Sequence, residues 1–328
     1  MELSVVIPTY KRSALLEGAL GALTAQEGCR SLEWEVVVVD NNSQDDTAHV
    51  VDAVSKSTTI PVVYVFEPRQ GLSHARNRGI REARGSIVAF IDDDVLPAPD
   101  WILQIVSAMA RWRAHGVGGR ILPHWEAPPP DWLTQRQDLL DRLAIMDHAE
   151  SCVLSYPVRG RPQVWGGNMA FRREIFEEIG GFDDARGGVG TKLFRGEEVE
   201  LVNRAVGHGL RIVYDPALTV QHRIGHRRLR KKYFLKMEFD AAQGEVDVDR
   251  IVKRRAILGV PLWLYRLLFV AFWKWIALLL CRRSQAFDQQ LDMFRWMGRL
   301  VGYWNLGRAQ HVNDSPSRGA SSRPTSRG

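Results

Sequence analysis

The chain has 328 residues, 45% of them apolar and 25% charged, which is the composition of an ordinary globular protein with one large domain or two. Three widely spaced cysteines (Cys29, Cys152 and Cys281) exclude a disulfide framework and favour a reducing compartment. The net charge of +6 is unevenly placed, because residues 1–222 carry 23 Lys and Arg against 30 Asp and Glu, whereas residues 223–328 carry 21 against 8.

The first part of the chain alternates predicted strands with predicted helices. Apolar, β-branched runs predict strands at residues 3–10, 34–43, 62–66 and 87–91, and helical spacing predicts helices at 13–26, 45–55 and 73–84. This alternation predicts right-handed βαβ units and a mostly parallel sheet. Since a strand already begins at Leu3 with no basic segment before it, no signal peptide is expected.

The ends of the second strand and third helix carry candidate nucleotide contacts. Asp40 stands where a dinucleotide fold places the acid that binds a ribose hydroxyl. Residues 8–12 nevertheless lack the glycines that bring backbone close to a pyrophosphate, which excludes a site of the NAD type. Arg76 could pair with a nucleotide phosphate or with Asp92. The alternatives are that Asp40 only caps a turn and that Arg76 is an arginine exposed to solvent on its helix.

Three consecutive aspartates, Asp92, Asp93 and Asp94, follow the fourth predicted strand. Ligands of open α/β sheets collect at the carboxyl ends of strands, and three adjacent acids repel one another unless a cation is present. Hard oxygen ligands suit Mg²⁺ or Mn²⁺, which often take their remaining ligands from a substrate diphosphate. The run predicts a metal site, and a solvated turn is the alternative.

Four segments together resemble the large family 2 of inverting glycosyltransferases, which have the GT-A fold: residues 6–10, 39–43, 75–79 and 91–94. The resemblance runs in order along residues 1–225 and implies a nucleotide-diphosphate sugar donor. The donor contacts that it implies are Pro8, Thr9, Tyr10, Asp40, Asn42, Arg76, Asp92 and Asp93. The aspartate run would be the family's metal-binding DxD motif, with Asp94 the direct ligand and Asp92 a second ligand or a contact of the sugar or ribose.

Further candidates follow a helix predicted at 101–115 and a strand predicted at 116–125. The segment Trp165, Gly166, Gly167 and Asn168 joins an indole, which suits carbohydrate C–H surfaces, to glycines that let backbone approach a sugar. In the resembling family this segment lies beside the donor sugar and the acceptor. A core tryptophan at a Gly-Gly turn is the alternative.

Two glutamates begin a predicted helix after a glycine-rich stretch, residues 186–192, that could close on the donor. Glu197 and Glu198 could simply complement the helix dipole. The resembling family carries an acidic pair here, usually Glu-Asp, whose second member is the base, which implies Glu198 with Glu197 as the alternative. The resemblance also makes His222 a candidate metal or diphosphate ligand, against a structural histidine.

The basic half changes character after residue 225. Residues 226–232 form a charge run, typical of a solvated face. Residues 257–281 are long and apolar but contain Arg266 and Lys274, which share one side of a helix. That pattern predicts a helix lying in a membrane interface, with a single span or a buried helix as alternatives. Another amphipathic helix is predicted at 287–303, and nucleic acid is not expected as a partner.

The predicted protein is therefore an α/β glycosyltransferase domain of GT-A type (1–225), a basic helical membrane-associating region (226–311) and a disordered tail (312–328). It would move a sugar, with inversion, to a hydroxyl of a lipid-linked saccharide or surface polysaccharide, using Mn²⁺ or Mg²⁺. It would work on the cytoplasmic face of an anionic membrane. The alternatives are a sugar nucleotidyltransferase, which would want a glycine- and arginine-rich loop after the first strand, and a noncatalytic membrane-binding module.

Overall fold

Two units divide the chain of the computed structural model, Met1–Phe234 and Leu235–Gly328, and residues 1–184, 196–244, 246, 256–281, 283 and 285–313 are described. The division falls later than the predicted boundary at 225. Leu229 and Phe234 are buried, and the Phe234 ring packs edge-on against Trp132 with ring centroids 5.8 Å apart. These apolar contacts place residues 226–234 with the first unit. The predicted disordered tail, residues 312–328, lies outside the described residues except for residues 312 and 313, which end the last helix.

Strands and helices alternate through the first unit as the sequence predicts. The strands are β1 (Leu3–Thr9), β2 (Trp34–Asp40), β3 (Val62–Phe66), β4 (Ile87–Phe90), β5 (Val95–Pro97), β6 (Gly116–Trp125), β7 (Cys152–Val153), β8 (Met169–Arg172) and β9 (Ile212–Ile224). The helices are α1 (Ser13–Thr24), α2 (Thr47–Ser57), α3 (Leu72–Glu82), α4 (Trp101–Arg111), α5 (Asp131–Thr134), α6 (Gln137–Arg142), α7 (Glu174–Glu178) and α8 (Glu197–Gly207), followed by the short 3₁₀ helix His226–Leu229 and by α9 (Lys231–Gly244).

A single mixed sheet has the strand order β3-β2-β1-β4-β8-β6-β9-β5, with β7 paired to β9. Parallel pairs join β3, β2, β1 and β4 and also β6 to β9, whereas β5, β7 and β8 pair antiparallel. The mixed α/β class with a mostly parallel sheet is confirmed. The sequence analysis missed β5, β7 and β8, since strands this short are too brief to show a period of two.

Side chains of the central strands alternate between two cores, one on each face of the sheet. Val5 and Ile7 of β1 pack into a core with residues of α1 and α4, whereas Val6 packs into a core with residues of α3 and α8. Val36 and Val38 of β2 lie in the same core as Val5, whereas Val37 and Val39 lie in the same core as Val6. Because successive strand residues point to opposite faces, a strand buried on both sides needs a continuous apolar run, as β1 and β2 have.

The strand order reverses around β1, which pairs with β2 on one side and with β4 on the other. A crevice opens outside the carboxyl ends of strands at such a reversal. Thr9 ends β1 at this edge and Asp92 follows β4 there. The topology therefore brings the aspartate run to the end of the first strand.

The second unit contains most of α9, a two-stranded hairpin and two long helices. The strands β10 (Ala256–Ile257) and β11 (Val260–Pro261) pair antiparallel, and α10 (Leu262–Leu280) and α11 (Ala286–Asn313) follow. The predicted apolar helix thus begins at Leu262 rather than at 257, because Leu258 and Gly259 form a left-handed turn with φ of 52° and 75°. Within α10, Leu264 and Ala271 are buried, whereas most of the helix is exposed.

Candidate active site

Asp93 lies at the reversal point, where two side chains donate to its carboxylate. Thr9 Oγ1 donates to its Oδ2 at 2.8 Å, and Arg12 Nη1 donates to its Oδ1 at 3.0 Å. Burial and the adjacent charge of Asp94 together outweigh Arg12 and raise the pKa of Asp93 to about 7. Asp93 is thus bound by Thr9 and by Arg12, a residue that the sequence analysis did not single out.

Asp94 turns to a different set of partners. Its Oδ2 accepts from Arg228 Nη2 at 2.8 Å and from Arg12 Nη1 at 3.3 Å, and it lies 3.5 Å from His222 Nε2. Burial alone would raise the pKa of Asp94, but the guanidinium charges of Arg228 and Arg12 hold it well below its usual range. Strand pairing explains the meeting with His222, because Val95 of β5 lies opposite His222 of β9.

Arg228 belongs to the charge run for which a solvated face was predicted, and for this residue the prediction is wrong. Its guanidinium spans Asp94 and His222, with Nη1 2.7 Å from His222 Nε2, and the side chain is 23% exposed. Its neighbours His226 and Arg227 are exposed, as predicted. Arg228 points inward from the 3₁₀ helix of residues 226–229. The charge pattern of the sequence does not distinguish it from its exposed neighbours.

Arg76 of α3 connects the aspartate run to the start of α8. Its Nη2 donates to Asp92 Oδ1 at 3.2 Å and its Nη1 to Glu197 Oε1 at 3.0 Å, while the Phe182 ring lies 5.4 Å away. The side chain is 2% exposed. Burial acts to lower the pKa of Arg76, but the surrounding carboxylates raise it overall. The predicted pairing with Asp92 is present in the structure.

Gly166 makes room for this arginine. A Cβ atom at Gly166 would lie 2.1 Å from Arg76 Nη2, and one at Gly167 would lie 3.3 Å from Asp92 Oδ2. A side chain at position 166 would therefore displace the guanidinium from both of its carboxylates. The group that approaches Gly166 in this structure is Arg76, and the approach of a sugar to the two glycines stays a prediction.

Glu197 and Glu198 begin α8, and both are buried. Burial and the charge of Glu198 raise the pKa of Glu197 to about 7, against the opposing effect of Arg76. Glu197 is committed through Oε1 to Arg76. Glu198 Oε2 is buried and accepts no hydrogen bond from any residue that the structure describes. The glycine-rich stretch predicted to close over the donor, residues 186–192, lies outside the described residues.

Asp40 and Asn42 lie at the next strand end along the sheet. Asp40 Oδ1 accepts from the Ser43 backbone N–H at 2.8 Å and Oδ2 from the Tyr64 hydroxyl at 2.7 Å. Asn42 has a left-handed φ of 66°. Tyr10 follows β1 and is half-buried, and the Lys11 ammonium lies 5.2 Å from the centre of its ring. Pro8 is buried within β1, opposite Val39.

Asn168 does not contact the cleft as predicted. Its Oδ1 accepts from Trp101 Nε1 at 2.8 Å, and its Nδ2 donates to the carbonyls of Arg120 and Leu218 at 2.9 and 2.8 Å. With 0% exposure, this amide has both hydrogens and its oxygen engaged inside the protein. The prediction that Asn168 contacts the donor is wrong for its side chain, which instead ties α4 to β6 and β9.

Trp165, by contrast, borders open space. It lines a cavity of about 890 Å³ with Tyr156, Asn203 and His208, on a side of α8 that does not include Glu197 or Glu198. Its buried Nε1 has no hydrogen-bond partner among the residues that the structure describes. An indole N–H without a partner inside a protein is a donor available to a ligand.

The residues at Asp94 fit a divalent cation. Leu143 O lies 2.8 Å from His222 Nδ1, and a carbonyl can only accept, so Nδ1 carries the hydrogen and Nε2 presents its lone pair. That lone pair and Asp94 Oδ2 converge on one position, where a cationic guanidinium now stands. No cluster of three or more His, Cys, Asp or Glu side chains suited to a metal occurs in the described part of the chain. Two protein ligands would thus leave the remaining positions to water or diphosphate.

Comparison with known proteins identifies the family. The family model for glycosyl transferase family 2 matches residues 4–180, more than half of the chain and most of the sheet just described. The chain belongs to glycosyltransferase family 2. The predicted resemblance is thereby confirmed. Membership favours a glycosyltransferase over the two alternatives, a sugar nucleotidyltransferase and a noncatalytic membrane-binding module.

Two relatives of this family 2 glycosyltransferase come from Haloferax volcanii. Glycosyltransferase AglE is 27% identical over 266 residues, which cover 80% of this chain and 79% of AglE. The glucosyl-dolichyl phosphate glucuronosyltransferase is 29% identical over 237 residues, or 68% of this chain and 70% of that protein. The second name specifies a lipid-linked sugar acceptor for that relative.

A solved structure shows the same fold. The mannosyltransferase PcManGT of Pyrobaculum calidifontis, in complex with GDP-Man and Mn²⁺, aligns with a TM-score of 0.55 at 19% identity. The alignment covers 95% of this chain and 75% of that one. The predicted GT-A fold is confirmed.

Proposed function

We propose that this family 2 glycosyltransferase transfers a sugar, with inversion, from a nucleotide-diphosphate donor to a hydroxyl of a lipid-linked saccharide. The donor's nucleotide would lie across the ends of β1 and β2, near Tyr10, Asp40 and Asn42. Its diphosphate would lie over the aspartate run. The lipid-linked acceptor is suggested by the glucuronosyltransferase relative and by the exposed apolar helix of the second unit.

The observation that carries this proposal is the double pairing of Arg76 with Asp92 and Glu197, residues 16 and 121 positions away. A single displacement needs a base on one side of the sugar and the leaving group on the other, held at a fixed separation. One buried guanidinium holds both acids by charge-assisted hydrogen bonds. It thereby fixes the helix that carries Glu198 against the end of β4.

Glu198 is the residue that we assign as base. Its free Oε2 can accept the proton of the acceptor hydroxyl as that oxygen forms a bond to the anomeric carbon. The bond from the anomeric carbon to the diphosphate oxygen breaks, and the electron pair leaves with the nucleoside diphosphate. Glu197, which accepts a hydrogen bond from Arg76, holds the two glutamates in position and does not take this proton.

Asp94 and His222 would hold the divalent ion, Mn²⁺ or Mg²⁺, with Asp92 nearer the donor sugar or ribose. When bound, the ion supplies positive charge that stabilises the departing diphosphate. Arg12 adds a second fixed positive charge beside Asp93 and Asp94. Trp165 lies beside α8, where its free indole N–H and ring face could meet the acceptor saccharide.

We further propose that the second unit associates with an anionic membrane on its cytoplasmic face. Helix α10 is long and apolar enough to cross a membrane, and only 11% of its most apolar stretch is buried within the protein. Arg266 and Lys274 are both exposed on it. Exposed aromatic residues interrupted by cations favour a position in the interface over a span.

A donor screen tests this function. The full chain is incubated with Mn²⁺, detergent-solubilised polyprenyl-phosphate saccharides and a panel of nucleotide-diphosphate sugars, and free nucleoside diphosphate and glycosylated lipid are measured. We expect one donor to give both products in equal amounts, with the new linkage of inverted configuration. Glu198→Gln should lower kcat by about 10²–10⁴-fold with little change in donor binding.

Glu178→Gln, at an exposed glutamate of α7, is the control and should keep near-normal turnover. Release of pyrophosphate instead of nucleoside diphosphate would refute sugar transfer. Retention of the donor's anomeric configuration would refute the single displacement. Normal turnover by Glu198→Gln would refute the assignment of the base.

A further inference from the structure

The cation position between Asp94 and His222 is filled by a residue of the chain itself. Arg228 donates from Nη2 to Asp94 Oδ2 at 2.8 Å and from Nη1 to His222 Nε2 at 2.7 Å. These two acceptor atoms are 3.5 Å apart. One planar guanidinium therefore satisfies both of the atoms that are best suited to bind a divalent ion.

A divalent ion and Arg228 cannot use these atoms together. A metal binds its ligands at about 2.0–2.2 Å along their lone pairs, which are the same lone pairs that accept from Arg228. Two cations at one position would also repel each other strongly in a buried site. The metal can bind only if the guanidinium withdraws.

The surroundings allow that withdrawal. Arg228 lies within the short 3₁₀ helix His226–Leu229, where its backbone N–H donates to Gly225 O at 2.9 Å, while its side chain is 23% exposed. The long side chain can therefore move with its backbone in place. Once displaced, its charge lies beside the position at which a metal-bound diphosphate would add negative charge.

We propose that Arg228 is a positioning residue that occupies the cation site in the resting enzyme and moves onto the donor diphosphate when the metal binds. This inference rests on the proposed metal site at Asp94 and His222. It makes metal and nucleoside diphosphate bind cooperatively, because the diphosphate provides a new partner for the guanidinium that the metal displaces. The metal alone is correspondingly weakly held.

Mn²⁺ affinity, measured by electron paramagnetic resonance on the full chain with and without GDP or UDP, tests this proposal. We expect Arg228→Ala to bind Mn²⁺ alone about 10- to 100-fold more tightly than the wild type, since two charge-assisted hydrogen bonds need no longer be broken. The nucleoside diphosphate should then increase Mn²⁺ affinity less in Arg228→Ala than in the wild type. Arg227→Ala, a change at the exposed neighbour, should match the wild type.

Equal or weaker Mn²⁺ binding by Arg228→Ala would overturn the role of Arg228 while leaving the metal site intact. Absence of Mn²⁺ binding in every variant, with and without nucleotide, would overturn the metal site as well. Asp94→Asn should abolish Mn²⁺ binding, which would show that the resonance signal comes from Mn²⁺ at Asp94. Should Arg228→Ala fold poorly, Arg228→Lys decides, because one ammonium spans the two acceptors less well and should give an intermediate gain in Mn²⁺ affinity.

Discussion

Individual carboxylates in this protein owe their properties to burial beside other charges. Glu197 is buried beside Glu198, and both burial and the neighbouring charge raise its pKa. Its arginine partner lowers the pKa by less, so the pKa is raised to about 7. Oε2 of Glu197 and Oε2 of Glu198 both lack a partner among the described residues. The two adjacent glutamates differ in that Glu197 Oε1 accepts a hydrogen bond from Arg76.

The raised pKa of Glu197 predicts a pH effect on stability. A carboxylate whose pKa is raised by folding stabilises the protein fully below its unfolded value, near 4.5, and this contribution is lost as the pH rises through about 7. Glu197→Gln removes that loss. Between pH 5 and pH 8 the free energy of unfolding of the wild type should therefore fall, relative to the variant, by on the order of 2 kcal/mol.

Urea unfolding at a series of pH values measures this difference. Asp93, which also has a raised pKa, titrates in both proteins, so its effect cancels in the comparison. Glu178→Gln, at an exposed glutamate of α7, serves as the control and should reproduce the wild-type curve. A pH-independent difference for Glu197→Gln would show that Glu197 does not titrate in this range.

At the scale of elements, the site depends on how closely α3 packs on β1. Gly79 of α3 faces Val6, and a Cβ atom at position 79 would lie 2.2 Å from Val6 Cγ1. The same helix carries Arg76 one turn earlier. The approach of this helix to the sheet therefore positions the guanidinium that joins Asp92 to Glu197.

Gly79→Ala should push α3 away from β1 and lower the free energy of unfolding by about 1–3 kcal/mol, as overpacking does. Transferase activity should fall as well, because Arg76 moves with the helix. Gly21→Ala on α1 is the matched control: a Cβ atom there meets nothing within 4 Å, so it should stabilise by about 0.5–1 kcal/mol. Urea unfolding and donor turnover measure both effects, and equal stability of the two variants would contradict this account.

At the scale of the whole molecule, charge and apolar surface are separated along the chain. The first unit holds the acidic site, and the second carries exposed aromatic residues on α10, including Phe269 at 65% and Trp273 at 55% exposure. Exposed large apolar side chains in such a row mark a surface that meets a membrane or another protein. The basic composition of residues 223–328 is the reason that we propose an anionic membrane as the partner of this surface.

A double substitution, Phe269→Glu with Trp273→Glu, should reduce binding of the full chain to phosphatidylglycerol vesicles at least about tenfold in a flotation assay, because two apolar anchors are lost. Leu103→Glu, at a leucine of α4 that is 37% exposed, should bind like the wild type. High salt should weaken wild-type binding, and alkaline carbonate should release it from vesicles if α10 lies in the interface. Resistance to carbonate would indicate a span instead.

The sequence by itself determined the alternation of strands and helices, the acid run at the end of β4 and the family. These follow from local patterns: apolar runs, helical spacing and motif residues in order. The tertiary structure alone decided the partners of those acids. Asp94 meets Arg228 from 134 positions away because three-residue β5 pairs with β9, and Asn168 is turned into the core by three hydrogen bonds. Such contacts depend on strand register and on the inward turn of a 3₁₀ helix, which leave no periodic trace in the sequence.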